Sequence, residues 1–237
     1  MKKSIRHLYI RMNQRHPRLG TWLWHLLYRI PRNRVQRKIL GKHNRVEFAK
    51  SRLTDVTFDI RGNGNRISIE DDCILNGVVF YIRGDNHRID IGRKCRFSRG
   101  GLIWLEDSGG ILRIGEASTF EDVHLAITEP GSRIEIGQDC MFAYDIDVRT
   151  GDSHAIYAQQ TGKRINPAMD VSIGNHVWVA AHSIILKGVS IPDDCVIASG
   201  AVVTRAFTTP GTVIGGNPAR ELKHDITWGR ERFARDR

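Results

Sequence analysis

The chain has 237 residues, of which 41% are hydrophobic and 26% are charged, so it is long enough for a large core and is not a disordered chain. No apolar run reaches the roughly 18 residues that a membrane-spanning helix needs. The net charge of +10 is uneven, because residues 1–52 carry fifteen Lys or Arg and one acid. We therefore expect a basic arm over 1–52, a main domain over 53–223 and a C-terminal tail over 224–237.

The basic arm contains one segment whose apolar residues have helical spacing. They precede Pro31, which is expected to end the helix, and they are Leu19, Trp22, Leu23, Leu26, Leu27 and Ile30. A basic helix with Trp and Leu on one side is typical of a membrane interface, so residues 1–45 are expected to bind an anionic membrane surface. The alternative is a cap over exposed strand edges at the start of the main domain. Nucleic acid is not expected as a partner, because basic charge alone is not a reading motif.

The main domain begins with a repeat of 22 or 23 residues. Its aliphatic leaders are Ile69, Ile91, Ile114 and Ile136. Four positions after each leader comes a small residue: Cys73, Cys95, Ser118 and Cys140. Six positions after each leader comes a large apolar residue: Leu75, Phe97, Phe120 and Phe142. Because each repeat can bury its leaders only against its neighbours, the repeats are expected to stack as one solenoid.

Farther along the chain the period becomes six. The aliphatic leaders then follow one another without a break: Ile173, Val179, Ile185, Ile191, Ile197 and Val203. A helix would repeat at about 3.6 residues and an ordinary strand at about 2. A period of six instead predicts one short strand and one corner per hexad, so that three hexads, about 18 residues, close a triangular turn.

The four cysteines are interpreted as free thiols in a reducing compartment. The chain has no CxxC motif, which argues against a zinc ribbon, and it opens without a clear signal peptide. Each cysteine is the fourth residue after a leader, including Cys195. We therefore expect the thiols to be small apolar fillers stacked inside the coil.

A stretch without leaders interrupts the repeats at residues 151–170, and it is interpreted as a loop that projects from the solenoid. The chain enters it through the sequence Arg149-Thr150-Gly151-Asp152-Ser153-His154. Trp178 follows His154 by 24 residues, and the sequence Gly216-Asn217-Pro218-Ala219-Arg220 closes the repeats. These features are the candidates for a functional site.

The hexads, the loop and the closing motif together resemble the hexapeptide-repeat acyltransferases over about residues 57–223. The stretches RTGDSH, RINPAMD, HVWVAAHS and VVTR look closest to the O-acetyltransferases of capsular polysaccharide, polysialic acid, galactosides and maltose. The expected fold is thus an all-β solenoid after a basic α-helical N-terminal segment, and the resemblance implies a left-handed parallel β-helix. It also implies a homotrimer with sites between subunits, acetyl-CoA as the donor, no metal, and a sugar or polysaccharide hydroxyl as the acceptor.

In that family a single His is the general base, and the resemblance places this role on His154. The chemistry agrees, because imidazole titrates near neutral pH and suits the removal of a proton from an attacking hydroxyl. Asp152, or alternatively Asp147, is expected to orient the imidazole. His176 and His182 are six residues apart and are expected to be structural residues on equivalent corners.

The resemblance also implies positions for donor binding. Trp178 is expected to line the donor channel, with a subunit interface as its alternative location. Ala181 and Ser199 are 18 residues apart, so they are expected to stack and to offer backbone groups to the pantetheine arm. The nucleotide end of the donor and its phosphates are assigned to Thr204, Arg205, Arg220 and Lys223.

Three other functions stay open at this point. An N-acetyltransferase acting on an amino sugar would share both the donor site and the base. A β-helical carbonic anhydrase needs three His around zinc, and the H-x4-H pair expected there is absent from the sequence. A non-catalytic scaffold would need neither the loop nor the closing motif. The expected location is cytoplasmic, with peripheral attachment at the inner membrane face if the arm binds lipid.

Overall fold

The computed structural model describes residues 34–231 and 233. Within these residues the regular structure is β-strand without any helix, and hence without a helix long and apolar enough to cross a membrane. The amphipathic helix predicted before Pro31 lies outside the described residues. The strands stack in parallel as one solenoid, which confirms the all-β solenoid predicted from the repeats.

Each full turn of the solenoid contributes three strands. Before the loop the strands are β1 (Arg34–Leu40), β2 (Arg45–Phe48), β3 (Arg52–Arg61), β4 (Arg66–Ile69), β5 (Ile74–Asn76), β6 (Val78–Asp85), β7 (Arg88–Ile91), β8 (Arg96–Phe97), β9 (Gly101–Ser108), β10 (Ile111–Ile114), β11 (Thr119–Phe120), β12 (Val123–Ile127), β13 (Arg133–Ile136), β14 (Met141–Phe142) and β15 (Ile146–Arg149). After the loop they are β16 (Val171–Ile173), β17 (Trp178–Val179), β18 (Ile184–Ile185), β19 (Ser190–Ile191), β20 (Val196–Ile197), β21 (Val202–Val203), β22 (Val213–Gly216) and β23 (Ala219–Lys223).

Parallel pairing between successive turns produces three faces. The β4 face is a separate sheet of β2, β4, β7, β10, β13, β16 and β19. The β5 face contains β5, β8, β11, β14, β17, β20 and β22, and the β6 face contains β1, β6, β9, β12, β15, β18 and β21. The long strand β3 joins these two faces, because residues 52–54 pair with β5 and residues 57–61 pair with β6. An antiparallel hairpin of β22 and β23 closes the solenoid.

The register of the strands confirms the predicted leaders. On the β4 face the leaders are consecutive partners and at most 3% exposed: Ile69, Ile91, Ile114, Ile136, Ile173 and Ile191. On the β5 face the rings of Phe97 and Phe120 stack with centroids 4.4 Å apart, and those of Phe120 and Phe142 stack at 4.8 Å. Offset stacking of this kind adds to the apolar burial that holds adjacent turns together.

The small residues four positions after the leaders do more than fill space. The Cys95 thiol donates to the carbonyl of Gly115 on the next turn at 3.1 Å. Ser118, one turn later, donates its hydroxyl to the carbonyl of Gly137 at 2.9 Å. All four cysteines are free and buried, and burial raises the pKa of Cys140 to about 11. The buried thiols therefore act as fillers, and that of Cys95 also as a hydrogen-bond donor between turns.

Close stacking at the corners requires glycine after several leaders. A Cβ added at Gly115 would lie 2.5 Å from backbone atoms of Gln138 and Gly137 on the next turn. The chain then turns through left-handed backbone, with φ of 61° at Ala117 and 53° at Asp139. Because only a residue without a side chain fits the close approach, the glycines follow the period of the repeat.

The solenoid begins earlier than the predicted boundary at residue 52. β1 pairs with β3 over its whole length, and β2 pairs with β4. These strands end their sheets among the described residues, so they have a neighbouring turn on one side only. Their inward residues are therefore only partly buried, namely Val35, Ile39, Val46 and Phe48. Weak burial explains why residues 34–52 carry no recognisable hexads.

Candidate active site

The loop predicted at residues 151–170 leaves the solenoid between the β6 face and the β4 face. It follows β15 and rejoins the solenoid at β16. One isolated antiparallel bridge joins Tyr157 and Arg164 within it. Its large apolar side chains are exposed: Ile156, Tyr157, Ile165 and Met169. The loop thus stands outside the core, as its lack of leaders predicts.

The two ends of the loop are fastened at one corner of the solenoid. Thr150 is fully buried, and its hydroxyl accepts the N–H of Thr128 at 3.0 Å. Its carbonyl accepts the N–H of Met169 at 2.9 Å. At the next position, Gly151, an added Cβ would lie 2.4 Å from Thr128 Oγ1. The loop therefore starts from a close-packed corner with no room for a side chain.

His154 lies exposed in the first turn of the loop. Its N–H donates to the carbonyl of Asp152 at 2.8 Å, and its carbonyl accepts Nδ2 of Asn166 at 2.8 Å. Within residues 34–231 and 233 its imidazole has no hydrogen-bond or ionic partner. The backbone of His154 is thus held, while its exposed ring has no partner among the described residues.

The carboxylate of Asp152 has partners other than the imidazole that it is expected to orient. It accepts Nζ of Lys187 at 2.5 Å and Nδ2 of Asn166 at 2.8 Å. The hydrogen bond from Lys187 lowers the pKa of Asp152 below its ordinary value. Asp152 is therefore ionised and anchors the loop, and its contact with His154 is through the main chain only.

Asp147, the alternative orienting carboxylate, lies on β15 and also has other partners. It forms an ion pair with Arg149 and lies 3.5 Å from Nδ1 of His124. Burial lowers the pKa of His124, which favours its neutral form. In the described part of the chain, neither Asp152 nor Asp147 makes the expected side-chain contact with His154.

The loop also contains a residue that is not predicted from the sequence. Asn166 is only 7% exposed although its neighbours are open to solvent. Its Oδ1 accepts the N–H of Ile156 at 2.6 Å, and its Nδ2 bridges Asp152 and His154. The Asn-Pro pair in a segment without leaders is the signal that points to it, since Asn side chains commonly bond nearby backbone groups.

The predicted donor positions lie on adjacent turns. Trp178 faces outward on β17, half-buried between Met141 and Val196. Ala181 follows at the next corner, and its carbonyl accepts the Ser199 hydroxyl at 2.8 Å. The two positions therefore stack, as their spacing of one turn predicts.

The predicted phosphate-binding cations lie at the end of the solenoid. Thr204 and Arg205 follow β21 and are exposed, with the Arg205 guanidinium 5.2 Å from the ring centroid of Phe207. Arg220 and Lys223 lie exposed on β23. No acidic side chain among the described residues pairs with these three cations, so their charges are available to an anionic ligand.

Within one copy of the chain, the predicted base and Trp178 lie on different parts of the solenoid. His154 belongs to the loop between the β6 and β4 faces, whereas Trp178 belongs to the β5 face. The partners of Trp178 are instead on its own face and in the C-terminal segment, where the Trp228 ring lies 6.1 Å away. His154 and Trp178 are thus on different sides of the solenoid, whereas Thr204 and Arg205 follow β21 of the β6 face, from which the loop also leaves.

The other two histidines singled out by their spacing are corner residues. His176 and His182 both adopt left-handed backbone, with φ of 51° and 61°. Nδ1 of His176 lies 2.8 Å from Asp194, and Nδ1 of His182 lies 2.7 Å from Asp145. Residues 34–231 and 233 contain no cluster of His, Cys, Asp or Glu that could hold a metal ion.

Comparisons with known proteins identify a family whose model matches the hexads and a similar protein that covers most of the chain. A family model for the bacterial transferase hexapeptide, with six repeats, matches residues 170–205. A polysialic acid O-acetyltransferase of Neisseria meningitidis is 35% identical over 194 residues, which cover 81% of this chain and 89% of that protein.

Two solved structures resemble the solenoid. The polySia-specific acetyltransferase NeuO superimposes with a TM-score of 0.73 at 28% identity, covering 84% of either chain. The polysialic acid O-acetyltransferase OatWY superimposes with a TM-score of 0.68 at 31% identity, covering 85% of this chain and 93% of that one. The structural similarity thus extends over most of the chain and well beyond the hexads.

Proposed function

The chain belongs to the hexapeptide-repeat acetyltransferases, and from this membership we propose that it transfers an acetyl group from acetyl-CoA to a sugar hydroxyl of a bacterial surface glycan, such as a capsule or an O-antigen. The observation that carries the proposal is the exposed His154 imidazole, presented by an anchored loop with no partner among the described residues. The relatives named polysialic acid O-acetyltransferases support a glycan acceptor.

We assign the general base to His154. A sugar hydroxyl is a weak nucleophile at neutral pH, so a base must accept its proton as the oxygen bonds to the acetyl carbonyl carbon. The carbon–sulfur bond of the thioester then breaks, and the His154 imidazolium gives the proton to the departing thiolate. Such proton transfer contributes about 10²–10⁴-fold to the rate, and holding both substrates together supplies much of the rest.

The last turns of the solenoid offer groups that fit acetyl-CoA. Arg205, Arg220 and Lys223 are exposed and have no acidic partner among the described residues, as phosphate binding requires. The backbone groups at the corner of Ala181 and Ser199 and the hydroxyl of Thr204, which follows β21, are polar groups that the pantetheine arm and the nucleotide could meet. Trp178 adds an aromatic surface for the pantetheine arm. The donor is therefore assigned to this end of the chain.

We further propose that the solenoid winds left-handed and that three copies assemble with the active sites between them. The separation of His154 and Trp178 on different sides of one copy supports a site completed by a neighbour. Mixing His154→Ala with Trp178→Ala protein tests this. In a randomly mixed trimer about one interface in four carries both native residues. Activity should therefore return on mixing. Two variants that stay inactive after subunit exchange would contradict the shared site.

The acceptor is tested by measuring acetyl-CoA thioester consumption against a panel of capsular and O-antigen glycans. The panel pairs each hydroxyl acceptor with the matching amino sugar, because both could use the same base. Turnover on hydroxyl acceptors, with a base-labile acetyl ester as the product, is the expected result. Turnover confined to amino sugars would replace the proposal with N-acetyl transfer.

A further inference from the structure

The side chain of Asn166 hydrogen-bonds to the backbone of His154 and Ile156, the two residues that flank Ala155. Its Nδ2 donates to the carbonyl of His154 and to the carboxylate of Asp152, both at 2.8 Å. Its Oδ1 accepts the N–H of Ile156 at 2.6 Å. The polar atoms of this one amide are thus directed at the segment that carries the imidazole.

Asn166 is in turn fixed to the solenoid. Its carbonyl accepts Nζ of Lys187 at 3.0 Å and Nη2 of Arg164 at 3.1 Å. Lys187 lies on the turn after the loop and also pairs with Asp152. Arg164 contacts Glu129, on the turn before the loop, at 2.5 and 2.8 Å. Through Asn166, the segment of His154 is connected to the turns on either side of the loop.

We propose that Asn166 is the positioning residue of His154, holding the backbone so that the imidazole meets the acceptor hydroxyl, without itself touching substrate. The inference rests on the proposed role of His154 as the base. An exposed loop would otherwise sample many conformations, and a misplacement of about 1 Å in a catalytic group can cost about 10²-fold in rate. The same amide also donates to the carboxylate of Asp152, which pairs with Lys187.

The test compares kcat and the KM for acetyl-CoA in a small set of variants of the full chain. Asn166→Ala should lower kcat by about 10- to 100-fold and leave the donor KM within about twofold, because Asn166 is not one of the residues proposed to bind the donor. Asn166→Asp keeps the acceptor for the Ile156 N–H but removes both donated bonds, and it should show a similar loss. The double variant with His154→Ala should be no slower than His154→Ala alone, since Asn166 acts through that residue.

Asn65→Ala is the matched control. Asn65 is 1% exposed and hydrogen-bonds to Asn44, Gly84 and His87 at a corner far along the chain from the loop. It should lower the Tm and leave kcat unchanged. The positioning role is overturned if kcat of both Asn166 variants stays within about twofold of wild type, or if Asn166→Ala slows the His154→Ala enzyme further by the same factor. Full kcat in His154→Ala would overturn the base itself, which is a separate result.

Discussion

His87 is buried at a corner of the solenoid, with only 1% of its surface exposed. Its Nδ1 accepts the N–H of Gly110 at 3.0 Å. Burial lowers the pKa of its imidazole below the ordinary value of 6.5, so the folded protein holds it neutral while the unfolded chain binds a proton near that pH. The stability that this neutral ring contributes is therefore complete above pH 6.5 and is lost as the pH falls below it.

Replacing His87 by Asn should remove this part of the acid sensitivity. Asn65 occupies the equivalent corner one turn earlier, and its Oδ1 accepts the N–H of His87 at 2.9 Å, so an Asn at position 87 can accept the N–H of Gly110 in the same way. Between about pH 7.5 and about pH 5, wild type should lose more unfolding free energy than His87→Asn. Urea unfolding at both pH values measures it, and equal losses would contradict the assignment.

Arg205→Ala should raise the KM for acetyl-CoA more than it lowers kcat. A contact with a remote phosphate is present equally in the ground state and the transition state, so its loss weakens binding without slowing the chemical step. We expect about a tenfold higher KM, the size of one charge-assisted contact. Arg113→Ala, which breaks an exposed ion pair with Glu135 on the β4 face, is the control. An unchanged KM with a collapsed kcat would contradict the placement of Arg205.

At the scale of single residues, the sequence singles out His154 as a candidate but does not predict the contacts of Asn166. His154 belongs to a contiguous motif at a fixed distance from the hexads, so a resemblance can assign it. The partners of Asn166 come from chain positions up to 21 residues away, and a loop has no period that would predict them. For the same reason the preference of Asp152 for Lys187, 35 residues away, cannot be predicted from its position beside His154.

The C-terminal segment, which the sequence predicts only as a tail over 224–237, packs against the solenoid. The Trp228 ring stacks on His176 with centroids 4.3 Å apart, and its Nε1 donates to the His176 carbonyl at 2.7 Å. Arg230 donates to Asp139 at 3.0 Å and to Thr119 at 2.8 Å. The segment through Arg230 therefore fastens three successive turns of the solenoid along one corner.

Trp228→Ala should lower the free energy of unfolding by about 2 kcal/mol, because it removes both the stacked ring and a hydrogen bond. Trp228→Phe retains a ring over His176 and loses only the bond from Nε1, so it should cost about 1 kcal/mol. Urea denaturation of the two variants measures the difference. A Trp228→Ala protein as stable as wild type would show that the segment does not fasten the turns.

Among the elements, the strands that contain a leader of the repeat can be predicted from the sequence, whereas the strands without a leader cannot. β16 to β21 follow the hexads because each buried leader must meet the leader of the next turn. β1 and β2 escape prediction because they have a neighbour on one side only and bury little. β22 and β23 form an antiparallel hairpin. The closing motif at residues 216–220 predicts that the repeats end there, but it does not predict that the chain reverses direction.

At the scale of the whole molecule, we propose that the basic arm attaches the enzyme to an anionic membrane surface at the cytoplasmic face. Residues 1–33 carry eight Lys or Arg and no acid. A deletion that tests the arm should stop there, because removing residues 1–45 would also delete β1, which pairs with β3. Each basic residue near such a surface contributes about 1 kcal/mol, and salt screens it.

Full-length protein should therefore sediment with phosphatidylserine-containing vesicles at low salt and be released at high salt. Protein lacking residues 1–33 should stay in the supernatant and still acetylate a soluble acceptor, since the residues proposed for acetyl transfer all lie beyond residue 145. Aggregation of the shortened protein would favour the alternative role as a cap. Full-length protein that ignores these vesicles at low salt would contradict membrane attachment.

The central claim is that His154 is the base of acetyl transfer, and the direct measurement is kcat of His154→Ala on the glycan acceptor, with acetyl-CoA affinity and Tm measured on the same protein. The account predicts a loss of about 10²–10⁴-fold in kcat. Affinity and Tm should be nearly unchanged, because the imidazole has no partner among the described residues and the loop stands outside the stacked turns. A variant that keeps more than about a tenth of the wild-type kcat would contradict the account and place the base elsewhere.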